Sequence, residues 1–83
     1  MSIGTINQTT VYPREVVNAA LKHHARSVIL VHNRPSGEAK PSRADITVTH
    51  DTEKALTVMG MTLHDHLIVA DTICVSSKNL GHL

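Results

Sequence analysis

The residues best placed to do chemistry fall in one stretch: His32-Asn33-Arg34, seven intervening residues, then Ser42-Arg43-Ala44-Asp45. Metal-assisted hydrolysis needs two or three neutral imidazoles or carboxylates on one side of a cavity, an open coordination position for water and a base close by. Residues i and i+2 at the end of a strand point to the same side, so positions 32 and 34 face a common site. An acid in the first turn of the following helix, Asp45, closes that site. His32 and Asp45 suit a metal. Arg34 does not, because its guanidinium is charged at any ordinary pH and has no lone pair to donate. Ser42-x-x-Asp45 also has a local use, since a serine oxygen and an acid in the first turn both favour helix initiation.

The flanking pattern supplies elements to hold these residues. An extended start, Ile3 to Thr9, precedes Pro13, which opens a helix with Val16, Val17, Ala20 and Leu21 on one face and an end near His24. Ser27-Val28-Ile29-Leu30-Val31-His32 is a continuous aliphatic run of the kind found in strands covered on both faces. It stops at Asn33-Arg34-Pro35-Ser36-Gly37, a loop dense in turn residues. Ser42 caps a second helix from Arg43 to about Met59, with Ala55, Leu56 and Met59 marking a face and Gly60 as its stop. Leu63–Ala70 and Ile73–Ser76 read as a hairpin around Asp71-Thr72. The order extended, α, β, α, β, β is an α/β arrangement within a single domain spanning 1–83.

With 83 residues, 41% of them hydrophobic and one aromatic, Tyr12, the chain is expected to fold around a small aliphatic core. Cys74 is the single cysteine and reads as a buried thiol in an apolar strand, so no disulfide is expected and a reducing, cytoplasmic setting fits. The longest apolar run, Val28 to Val31, is too short to span a membrane. A net charge of +1, dispersed along the chain, lacks the basic stripe of a nucleic-acid binder. Arg34, Lys40 and Arg43 gather in one loop, for which a solvated role is expected over phosphate contact. His64 and His66, two apart on a strand, share a face in this reading, but no acid or cysteine at ligand spacing accompanies them. His23 and His24 complement the dipole at the end of the first helix.

Taken together, Gly4-Thr5-Ile6-Asn7, Pro13-Arg14-Glu15-Val16, Val31-His32-Asn33-Arg34-Pro35-Ser36-Gly37, Pro41-Ser42-Arg43-Ala44-Asp45 and Asp65-His66-Leu67-Ile68-Val69 resemble, in order and spacing, the RadC-like members of the JAB/MPN metalloprotease-like domains. The resemblance implies a cytidine-deaminase-like α/β fold, here without the family's leading strands. It also implies a zinc held by two His and one Asp, a Glu acting as general base, and a Ser that hydrogen-bonds the oxyanion. His32 matches the first His, Ser42 the Ser and Asp45 the Asp. Arg34 stands at the second His, and the upstream Glu has no counterpart, since Glu15 and Glu38 lie in other blocks. Zinc is therefore expected to bind weakly or not at all, with an Arg34–Asp45 ion pair in its place. The expected function is an inactive JAB/MPN interaction module. The alternatives are a zinc-dependent peptidase with a non-standard site and a DNA-binding module of the kind the DNA-repair association of the RadC name suggests. Loss of the leading strands leaves a sheet edge open, so a homodimer is expected through it.

Overall fold

The computed structural model describes residues 3–8, 10–34 and 39–83. Of the expected loop residues, Pro35, Ser36 and Gly37 lie outside that set. The elements follow the anticipated order: β1 (Ile3–Gln8), α1 (Pro13–Lys22), β2 (Ser27–Asn33), α2 (Arg43–Val58), β3 (Thr62–Ala70) and β4 (Ile73–Ser76). They form one sheet in the order β1-β2-β3-β4, with β1, β2 and β3 parallel and β4 antiparallel to β3. The two parallel connections each carry a helix. Proline at the start of α1 gives up an amide that has no helical partner there. Gly60, at φ +76, provides the left-handed residue just past the end of α2. The hairpin turn likewise places Asp71 at φ +55.

Both helices pack on the same face of the sheet. On this inner face Val28 and Leu30 of β2 are fully buried against Val16 and Ala20 of α1, Leu56 of α2, and Leu63 at the start of β3. Leu21 and Met59, expected on the helices' apolar faces, are about half exposed. The buried side of α2 is instead Asp45, Thr49, Thr52 and Leu56, three polar residues out of four. Their spacing is helical, but a hydrophobicity pattern is blind to it.

Three expectations about strands are corrected. His64 and His66 do not share a face: Val28 pairs with Leu63 and Ile29 with Asp65, so His64 is the extra residue of a bulge. A bulge resets the alternation; His64 is exposed while His66 is fully buried on the inner face. Cys74 is exposed rather than buried, because β4 is an edge strand and Cys74 pairs with Val69 on the outer face, where no helix lies among the described residues. The aliphatic run in β2 is also covered on one face alone among the described residues: Val28 and Leu30 are sealed, whereas Ile29 and Val31 are half-buried.

Candidate functional site

The site forms where the C-terminal end of β2 meets the first turn of α2. Strand alternation turns His32 to the inner face beside Ile68 of β3, and the Arg34 amide continues the ladder by donating to Val69 carbonyl at 2.8 Å. Across from them, Ser42 and Asp45 make a reciprocal capping box. The Asp45 amide donates to Ser42 Oγ at 3.2 Å, and the Ser42 amide donates to Asp45 Oδ2 at 2.7 Å. That lock fixes the carboxylate, and the Arg34 guanidinium forms an ion pair with the same Oδ2. Asp45 Oδ1 lies 3.7 Å from His32 Nδ1. The Asp45 side chain is 8% exposed and that of Arg34 21%, so the pair is shielded from water and from screening by salt. His32, Arg34, Ser42 and Asp45 are thus brought together, and Ser42 Oγ is engaged in capping.

His66 and Thr49 complete the arrangement, and sequence reasoning placed neither there. The His66 ring stacks parallel to that of His32, with centroids 5.6 Å apart. Thr49 Oγ1 donates to the Asp45 carbonyl at 2.8 Å, which leaves it to accept from His66 Nδ1 at 2.5 Å. This chain assigns the proton to Nδ1 and the lone pair to Nε2, which is buried with no hydrogen-bond partner among the described residues. Burial, and then the neighbouring His32, push the His66 pKa down to about 4; Asp65 opposes the shift and Arg34 adds to it. His66 is therefore neutral near pH 7. The signal for it lay in Asp65-His66 among the matched blocks, hidden by the bulge at His64.

Asp65 acts structurally on the outer face. Its carboxylate accepts from Ser76 Oγ at 2.6 Å, the Lys78 amide at 3.1 Å and the His66 amide at 2.7 Å, tying β3 to the turn after β4. Burial alone would raise its pKa, but these bonds and the charge of His64 outweigh it and hold the group below the usual value.

The family profile of the RadC-like JAB domain matches residues 1–82. The chain belongs to the RadC-like JAB family. It is 51% identical over 80 residues to a UPF0758 protein of Bordetella petrii, covering 96% of this chain and 36% of that protein. A UPF0758 protein of Pseudoalteromonas translucida is 50% identical over 78 residues, 94% of this chain and 35% of its own length. One from Paracidovorax citrulli is 55% identical over 78 residues, 94% and 33% respectively. The chain therefore spans about a third of the length of these relatives.

The zinc that the RadC-like JAB resemblance implies can be weighed against this donor set. His32 and Asp45 are suitable ligands, but a catalytic zinc takes three protein ligands and an open position. Arg34 brings a fixed cation to the carboxylate oxygen that a metal would need, and like charges exclude each other there. Among the described residues no group of three His, Cys, Asp or Glu is arranged to hold a metal ion. The residues present do not fit the metal.

Proposed function

We propose that this RadC-like JAB domain has exchanged metal chemistry for an internal ion pair and serves as an interaction module, with no hydrolytic activity of its own. One observation carries the reading: the Arg34 guanidinium is paired with the Asp45 carboxylate, the position from which a metal would be held. The positive charge stays and the Lewis acid goes. Among the described residues no carboxylate other than Asp45, already engaged by Arg34 and Ser42, joins the arrangement as a base. His32 and His66 stack on each other, and the accepting nitrogen of His66 is sealed inside.

A second copy of the chain is the partner this reading favours at the sheet edges. Among the described residues β1 has a single hydrogen-bonded neighbour, β2, so alternate residues of this six-residue strand direct their backbone groups outward along its other side. Thermal unfolding with and without a chelator tests the absence of a metal. The melting temperature is expected to be the same in both, whereas a fall on adding chelator would show that a bound metal holds the fold.

A further inference from the structure

The two helices end in the same way, and one residue breaks the match. At the end of α1 the Ala25 amide donates to the Ala20 carbonyl at 2.9 Å and the His24 amide to the Leu21 carbonyl at 3.1 Å. At the end of α2 the Met61 amide donates to the Leu56 carbonyl at 2.8 Å and the Gly60 amide to the Thr57 carbonyl at 3.0 Å. Both are left-handed stops, with His24 at φ +53 and Gly60 at φ +76. Glycine takes that conformation without strain, whereas a residue with a Cβ loses about 1–2 kcal/mol in it. The Thr62 amide then bonds the Arg26 carbonyl at 2.9 Å, tying the entrance of β3 to that of β2.

Between the two turns lies a cleft of about 400 Å³, within the roughly 300–1,000 Å³ typical of ligand sites. Ala20, Ala25 and Met61, all buried, make its floor. Leu21 and Met59, patterned as core residues, stand over it and are 45% and 48% exposed. His24 and Arg26 line it as well and are exposed. Among the described residues no acid lines the cleft, and the two ion pairs both lie at Asp45, far along the chain from Arg26.

These features select a partner. Lys22, in the last turn of α1, answers the negative end of the helix dipole, an effect that fades beyond that turn. Arg26 lies past the helix, so its charge is left to meet a carboxylate from outside. A nucleic acid would bring phosphate to the same cation, but the apolar floor offers its bases nothing to stack on: the one aromatic residue, Tyr12, stands at the opposite end of α1.

We propose that this cleft binds an acidic segment of a partner protein. An aliphatic side chain of the segment sits over Ala20, Ala25 and Met61 between Leu21 and Met59, and the carboxylates beside it pair with Arg26 and Lys22, with the His24 ring as a further hydrogen-bonding group at the mouth. The proposal rests on the interaction-module reading and gives it a surface apart from the β1 edge.

The test uses the 83-residue chain as it exists and, as probe, a synthetic peptide of leucines interspersed with aspartates. The methyl resonances of Met59 and Met61 are expected to shift as the peptide is added, and to stay in place with a peptide in which lysines replace the aspartates. Arg26→Ala is expected to weaken binding about tenfold, a change of about 1.4 kcal/mol. The methyl readout needs no substitution, so the test survives a variant that fails to fold. Absence of a shift with the acidic peptide overturns the proposal, as does an equal shift with the lysine peptide or with inorganic phosphate. Shifts that follow the concentration of the chain alone also overturn it, in favour of a second copy in the cleft. Binding at the cleft accompanied by cleavage of the peptide would sink the proposed function and leave the cleft standing.

Discussion

The two halves of the inner face are built on different principles. Toward α1, Val16, Ala20, Val28, Leu30, Leu56 and Leu63 make an interior with no polar side chain among them. Toward the start of α2, Asp45, Thr49, Thr52 and His66 are just as deeply buried, with His32 and Arg34 at the rim. The first half stabilises by removing aliphatic surface from water, at about 25 cal/mol per Å². The second loses free energy for each polar group it leaves unsatisfied, and its bonds centre on one residue: Asp45 accepts from Ser42 and Arg34 at its carboxylate and from Thr49 at its carbonyl, whereas Thr52 Oγ1 and His66 Nε2 have no hydrogen-bond partner among the described residues. A small domain short of aromatic side chains gains little stability from such a network. Through the Arg34–Asp45 pair and the capping box the network holds the β2–α2 junction in shape.

The contrast can be broken most forcefully in the aliphatic half. Leu56→Ala opens a cavity at a fully buried site and is expected to cost about 4 kcal/mol, a large part of what a domain of this size has. Urea unfolding monitored by circular dichroism would measure it, and a loss under about 1 kcal/mol would mean that the two halves are not as different as described.

The polar half should respond to acid. His66 is held neutral in the fold with a pKa of about 4, against 6.5 for an unperturbed histidine. Its contribution is therefore complete above pH 6.5 and is lost as pH falls toward 4, because the unfolded chain takes up the proton first. The total is about 3 kcal/mol. His66→Leu is expected to flatten the stability profile across this window, and an unchanged slope would contradict the assignment. Asp65, whose pKa is lowered, contributes above the unperturbed value of 3.8 and loses that contribution at more acidic pH, so the two losses separate along the pH axis.

Asp45→Ala removes the partner of Arg34 and one arm of the capping box together, with an expected loss of about 2–3 kcal/mol. Combined with Arg34→Ala the loss should be smaller than the sum of the two, since the second change removes the stranded cation. Additive losses in that double-mutant cycle would show that the pair does not couple. Ser42→Ala is the mildest change, about 1 kcal/mol, as it takes away the cap and leaves the ion pair in place.

Much of this contrast was legible in the sequence. Proline and glycine marked the helix ends, the β2 run marked the central strand, and Ser42-x-x-Asp45 marked the cap, because each rests on local backbone chemistry. The ion pair followed from a charged residue set opposite a carboxylate. What escaped was the polar side of α2, where Thr49 and Thr52 face inward with nothing in their hydropathy to say so. His66 escaped with it, because one bulged residue, His64, inverts the alternation of everything after it. Cys74 was misread because an apolar neighbourhood in sequence cannot distinguish an edge strand from a central one.

The central claim is that Arg34 occupies the charge position of a metal. Elemental analysis of the protein purified without added metal, beside Arg34→His prepared in the same way, tests it most directly. The account predicts no stoichiometric zinc in the chain as it stands and a rise in zinc affinity in Arg34→His. One equivalent of zinc in the unaltered chain would contradict it.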